Sequence, residues 1–470
     1  MHAGNARIPR GVREKPRIVD DFRRRLSSNP SNDFMKSEED LKRAGSRPVT
    51  PAFREVLAVW IRIGLLSFGG PAGQIALMHR ELVERRRWLG ERRFLHALNY
   101  CMLLPGPEAQ QLAIHTGWLL HGTRGGIAAG TLFVLPGALL MWCISCIYVY
   151  QGDLQWVEWV FYGLKAAVMA IVVMAMLRIG KKVLHHPLLW VVAVTALLAL
   201  LVFKLPFPLI VIAALVAGLV FGKRLPGTGK QGLPENEIAA GRGVSPSWKS
   251  TLGQCVLWLA VWLAPLAACL AVLGKTHALT VGSAFFSKAA LLTFGGAYAV
   301  LPYVAQQAVE TQVWLTPGQM IDGLGLAETT PGPLVLVLQF VGFLGAWNSP
   351  GTLPPLAAAT IGAFLTTWAT FVPGFLFIFA GAPWIERTLG NPRLSGALTV
   401  VTAAVVGVIA NLAIWFGWNV VVPAPGKTDL LPLAMAAAFF LLLRSGKCGV
   451  ITIVSLGALA GLAAGWLGAA

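Results

Sequence analysis

Apolar runs separated by short polar breaks fill the chain from about residue 53 onward, and their lengths decide the elements. A transmembrane helix needs about 20 mostly apolar residues. Compatible runs fall near 127–149, 158–180, 188–203, 207–222, 251–273, 357–380, 394–418, 430–443 and 449–468. The shorter ones span only with flanking residues or local thinning of the bilayer. Four further stretches are interrupted: 53–79 and 281–309 at a Phe-Gly-Gly, 94–121 and 318–346 at a Pro-Gly-Pro. The pattern predicts an all-α polytopic membrane protein with broken or re-entrant helices and about 13 apolar segments.

The halves repeat. A shift of 226 residues aligns Leu65–Pro107 with Leu291–Pro333 without a gap, with 13 of 43 positions identical. That is far above what two unrelated apolar stretches share. Identical pairs include Phe68/Phe294, Gly69/Gly295, Gly70/Gly296, Glu84/Glu310, Trp88/Trp314 and Pro105-Gly106-Pro107/Pro331-Gly332-Pro333. Phe-Val-Leu-Pro-Gly at 133–137 and Phe-Val-Pro-Gly at 371–374 extend the match after an insertion. Transporter folds are often built from such repeats. The expected organisation is a basic, disordered cytoplasmic tail at 1–50, a first repeat at 51–222 and a cytoplasmic linker at 223–249. An inverting transmembrane helix at 250–280 and a second repeat at 281–470 complete it.

Composition narrows the class. Only 13% of residues are charged, against about 25% in soluble proteins, and 56% are hydrophobic. This excludes a soluble enzyme, a disordered chain and a disulfide scaffold. The net charge of +17 suggests nucleic acid until its distribution is read. Residues 1–50 hold 12 Lys/Arg and 7 Asp/Glu without a periodic apolar pattern, which reads as a disordered tail. They lack the apolar stretch of a cleaved signal peptide. The remaining clusters sit between apolar segments, where positive charge fixes orientation. The segment between the first two broken stretches carries Arg80, Arg85, Arg86, Arg87, Arg92 and Arg93, whereas its counterpart 306–319 carries no Lys or Arg. The first therefore lies inside and the second outside, and the repeats are inverted. No nucleic acid is expected as a partner.

Candidate chemistry clusters at the breaks. Each proline of Pro105-Gly106-Pro107 and Pro331-Gly332-Pro333 removes a backbone donor and disfavours helix in the residue before it. The downstream helix should restart near Glu108 or Leu334. Free N–H groups at that terminus make a seat for an anion, and the alternative is a structural kink. Phe68-Gly69-Gly70 and Phe294-Gly295-Gly296 follow the same logic, with close helix packing through small residues as their alternative. Arg62 and Lys288, also 226 apart, each precede a Phe-Gly-Gly by six residues. Cations are costly in a membrane segment unless paired or hydrated, so together they could clamp a dianion; otherwise they snorkel to an interface. Glu108 and Glu328 flank the two Pro-Gly-Pro motifs and are proton-coupling candidates, because a carboxyl buried in a membrane can carry a proton. Local hydrogen bonding is their alternative. His79, His96, His115 and Lys165 are minor candidates. Cys143 and Cys146 form a lone C-x-x-C in an apolar helix and read as packed thiols. No enzyme signature, cofactor motif or metal cluster is present.

Phe68-Gly-Gly-Pro-Ala, Leu104-Pro-Gly-Pro-Glu-Ala-Gln-Gln-Leu-Ala and Glu328-Thr-Thr-Pro-Gly-Pro resemble the signatures of the chromate ion transporter family. The opposed halves resemble its long-chain members across roughly residues 50–468. The second half departs from the first in reading Phe294-Gly-Gly-Ala. The resemblance implies a multi-pass bacterial cytoplasmic-membrane protein that exports chromate and confers resistance, driven by the proton-motive force. Its expected partners are chromate, protons and the lipid bilayer, with sulfate as competitor or alternative substrate. A sulfate importer and a passive anion channel are the rival readings, and a homodimer is left open.

Overall fold

The computed structural model describes residues 51–68, 70–152, 154–221, 247–294, 296–381, 384, 392–422 and 427–468. The expected tail at 1–50 and most of the 223–249 linker lie outside these, as do Gly69 and Gly295.

Helices account for nearly all of the described chain. In order they are α1 (Phe53–Leu66), α2 (Gly70–His79), α3 (Glu91–Cys101), α4 (Glu108–Gln151), α5 (Gln155–Val183), α6 (Pro187–Leu201) and α7 (Phe207–Phe221). Then follow α8 (Trp248–Leu273), α9 (Ala278–Leu292), α10 (Ala297–Ala305), α11 (Pro317–Thr329) and α12 (Val337–Asn348). The last four are α13 (Pro355–Gly381), α14 (Pro392–Val421), α15 (Leu431–Arg444) and α16 (Val450–Trp466). Five helices are long and apolar enough to cross a membrane: α4, α5, α8, α13 and Gly396–Val421 of α14. Several shorter apolar helices accompany them. The protein is an all-α polytopic membrane protein.

Each of the four interrupted stretches is two helices, because Gly and Pro at the break prevent a continuous ladder of hydrogen bonds. α4 also bends sharply at His121 and Gly122, where the backbone leaves helical angles. Its arms 108–120 and 123–151 fold back on each other through Gly117 and Gly125, which meet backbone to backbone. α12 and α13 make the same close crossing through Gly342 and Gly362. The local repeat reaches finer detail. The π-helical turns Arg80–Arg85 and Gln306–Thr311 are 226 apart. So are the positive-φ residues Arg87 (53°) and Val313 (52°) that end them.

The two halves exchange their last helices. α5 packs against α11, α14, α15 and α16 of the second half, while α14 packs against α6 and α7 of the first. Small residues let the backbones approach. Gly163 of α5 lies against Gly457 and Gly461 of α16, and Gly407 and Ala397 of α14 lie against Ala193 of α6 and Gly218 of α7.

α8, between the halves, buries only Trp262 among its described residues. That indole donates to the Ala369 carbonyl at 3.1 Å. Pro373, four residues on, has no N–H for this carbonyl, so the tryptophan supplies the missing donor. Trp368 returns the contact by donating to the Val261 carbonyl at 3.0 Å.

Candidate functional site

The four breaks meet in two crossed pairs, each helix end of one half against the Pro-Gly-Pro of the other. α1 and α9 end in Ser67 and Thr293, whose hydroxyls donate back to the carbonyls of Ile63 (2.6 Å) and Ala289 (2.8 Å). The carbonyls of Ser67 and Thr293 have no helical donor and are taken by the opposite half. Gly332 N–H donates to Ser67 O at 2.7 Å, and Gly106 N–H donates to Thr293 O at 2.7 Å. The two bonds are related by the shift of 226.

Pro-Gly-Pro is the chemistry this contact needs. The flanking prolines have no N–H and keep the chain extended, so the glycine offers the single donor of the motif. Gly106 and Gly332 sit at φ 118° and 106°, where a side chain is strained. An added Cβ would come within 2.8 Å of Gln111 Nε2 or 2.9 Å of Leu336 Cδ1. Two amides complete the crossing. Gln74 donates to Gly332 O at 2.7 Å, and Gln111 donates to Pro105 O at 2.6 Å.

The helices restart beside these bonds. α4 begins at Glu108 after Pro107, and a 3-10 turn at Leu334–Leu336 follows Pro333 before α12; neither start has a side-chain cap. α10 likewise starts at Gly296 without a side-chain cap. Uncapped first turns carry unsatisfied N–H groups and partial positive charge, suited to an anion. Pro331, Gly332, Pro333, Gly106 and Pro107 are buried, while Pro105, Phe68, Phe294, Gly70 and Gly296 are half-buried.

The charged candidates divide. Glu328 is 5% exposed and accepts a hydrogen bond from Tyr298. Glu108 is half-buried, within electrostatic reach of Lys182. Arg178, one turn earlier on α5, is within reach of the Tyr298 hydroxyl. Arg62 and Lys288 lie on the exposed faces of α1 and α9, and neither makes an ion pair among the described residues. The buried part of the crossing is thus backbone and amide, with these two cations on the outward faces of its first helices.

His79 contacts Glu84 (3.2 Å) and Glu91 (2.6 Å), and His115 is buried edge-on against Tyr100. Cys143 and Cys146 are free thiols. Among the described residues no three metal-ligating side chains converge. Lys165 is more prominent than sequence reading made it. It faces a cavity of about 630 Å³ and lies 3.5 Å from Asp322, a residue that reading passed over. The readable signal was an acid inside an apolar stretch. Nothing in the sequence marked Gln74 or Tyr298, which have no matching partner in the other half.

A family profile described as "Chromate transporter" matches residues 54–219 and 279–462, once in each half. The "Chromate transport protein" of Pseudomonas aeruginosa is 34% identical over 427 residues, covering 89% of this chain and 93% of that protein. The protein of the same description from Cupriavidus metallidurans is 30% identical, covering 90% and 97%. An uncharacterized transporter of Bacillus subtilis is 32% identical over 164 residues, which is 33% of this chain and 90% of that shorter protein. No solved structure matches.

Proposed function

The chain belongs to the chromate transporter family, and on that premise we propose how its broken helices do the work. It is a multi-pass inner-membrane protein and a secondary transporter for chromate efflux, not an enzyme.

The observation that carries the proposal is the reciprocal pair of bonds from Gly106 to Thr293 and from Gly332 to Ser67. A two-fold relation between the halves accounts for it. The one-sided Arg cluster, the twice-matching family profile and a relative of single-module length support reading them as inverted modules, 51–222 and 281–470, joined by the 223–249 linker and the helix within 250–280. On this reading the uncapped helix starts at Glu108, Leu334 and Gly296 face the transported ion. Non-helical backbone is tolerated inside a membrane where protein or a water-filled cavity covers it. Chromate is a tetrahedral dianion, and several N–H groups with partial positive charge replace part of its hydration. Arg62 and Lys288 add full charges at the two approaches to the crossing. Glu108 and Glu328 supply the coupling: ionised, they repel the dianion; protonated, they admit it.

The direction of transport alone does not separate this reading from a channel. An inside-negative potential drives each negative charge outward with about 2.3 kcal/mol per 100 mV, so a passive pore would also extrude a dianion. The deciding measurement is chromate uptake into inverted vesicles with the potential clamped to zero. Uptake that follows an imposed pH gradient is the result expected. Uptake that only equilibrates, indifferent to the gradient, identifies a channel. Sulfate shares chromate's shape and charge and is expected to compete. Labelled-sulfate accumulation in cells carrying the protein would identify an importer.

A further inference from the structure

A cavity of about 630 Å³ lies where α5, α11, α12 and the second arm of α4 come together. Gly152, Thr316 and Gln319 line it, the last two within the segment 306–319 that the charge distribution assigns to the outer side. Asp322 of α11, which also lines it, is 6% exposed. Its two oxygens are treated differently. Oδ2 accepts from the Tyr148 hydroxyl at 3.0 Å. Oδ1 is buried without a hydrogen bond, and Lys165 Nζ stands 3.5 Å from it. This is a long ion pair, and Oδ1 is the oxygen open to a proton.

The surroundings leave the pair isolated. α5 contributes Lys165, Glu158 and Tyr162 to the cavity, and the Tyr162 hydroxyl is committed to Asp429 at 2.7 Å. α4 contributes Tyr148. α12, α14 and α16, the other helices packed on α11, present no charged side chain to the cavity. Lys165 comes from the first half and Asp322 from the second, so the pair bridges the halves. A buried charge left without its partner is strongly unfavourable. Asp322 is the buried partner and Lys165 is half-buried, so a change of charge at the carboxylate, or loss of the ammonium facing it, calls for a compensating ion.

We propose that Lys165 and Asp322 form an exchangeable ion pair in which a proton on Asp322 and an oxyanion on Lys165 replace each other's contact. A proton entering from the outer cavity binds Asp322 Oδ1 and removes the negative charge facing Lys165. Lys165 is then free to pair with the dianion arriving from the crossing and offset part of its charge, with Gln155, Gln319 and Asn348 as polar donors around it. When the anion leaves outward, Asp322 releases its proton toward the cytoplasmic side, so a proton moves in as the anion moves out, and the pair reforms. Glu158, exposed at the rim, attracts protons and opposes re-entry of the anion. Asp322 and Lys165 act here as positioning residues of the coupling step. The inference rests on the export reading above and adds a site to it.

The test uses the full-length protein in proteoliposomes, with chromate as the probe. Two readouts are followed: accumulation driven by an imposed pH gradient, and exchange of internal for external chromate. For Asp322→Asn, gradient-driven accumulation should fall about tenfold or more, and exchange should lose its dependence on pH. Lys165→Gln should lose both activities, and Asp322→Glu should recover coupling. Wild-type accumulation by Asp322→Asn overturns the proposal. If that variant does not reach the membrane, Lys165→Gln/Asp322→Asn, which leaves neither charge alone, is read in the same way. Coupled accumulation by the double variant also overturns it. A wild-type protein that moves no chromate would strike the export reading instead, so the two failures are distinct.

Discussion

The hydroxyl of Tyr298 donates to the carboxylate of Glu328, three residues ahead of the second Pro-Gly-Pro. Both residues belong to the second half, and Arg178 of the first half is within electrostatic range of the same tyrosine. Tyr298→Phe removes a hydrogen-bond donor to a buried carboxylate, which costs about 1–3 kcal/mol. Thermal unfolding in detergent should show the loss. Glu328→Gln keeps a neutral hydrogen-bonding group and should reach the membrane. Chromate export by it should no longer vary with pH across the neutral range, and an unchanged pH profile would remove Glu328 from the coupling.

Gly332→Ala places a methyl group at φ 106°, within 2.9 Å of Leu336 Cδ1. The conformation alone costs on the order of 1–2 kcal/mol, and the bond to Ser67 is strained with it. Export should fall while the protein is still inserted. Gly253→Ala in α8 is the control. Its added methyl meets no atom within 4 Å, and alanine favours helix by about 0.5–1 kcal/mol. It should export normally and melt no lower.

Arg62→Ala and Lys288→Ala should each abolish export with surface expression retained. Both side chains are exposed on their helices without a carboxylate partner among the described residues, so neither substitution breaks an internal ion pair. Chromate resistance in cells is the measurement. Normal resistance in both variants would mean that these cations only snorkel to the interface.

Reporter fusions at residues 88 and 314 should lie in opposite compartments. Trp88 follows the arginine cluster, while Trp314 follows the segment without cations. The same compartment for both would refute inversion of the modules.

Much of the architecture was legible because glycine and proline act locally. Phe-Gly-Gly and Pro-Gly-Pro interrupt helices wherever they occur, and the structure restarts them at Gly70, Glu108, Ala297 and Leu334. Hydropathy likewise located the helices after the breaks. The use of the break by its counterpart was not legible. Gly106 and Thr293 are 187 residues apart, and no local pattern records that one amide completes the other's helix. Lys165 stood out in an apolar run, but its weight came only with Asp322 from the distant half. Tyr298 and Gln74 were silent for a related reason, since a polar residue in an apolar run declares no partner.

The exchange of terminal helices between the halves bears on how such a protein can be assembled. Were the chain severed in the 223–249 region, the first piece would retain α5 while its covering helices α15 and α16 travelled with the second. The glycine seams at Gly163 and Gly407 would remain open until the pieces found each other. Two co-expressed fragments should therefore reunite as an obligate heterodimer, and a single-module protein would need a companion subunit to close its seams.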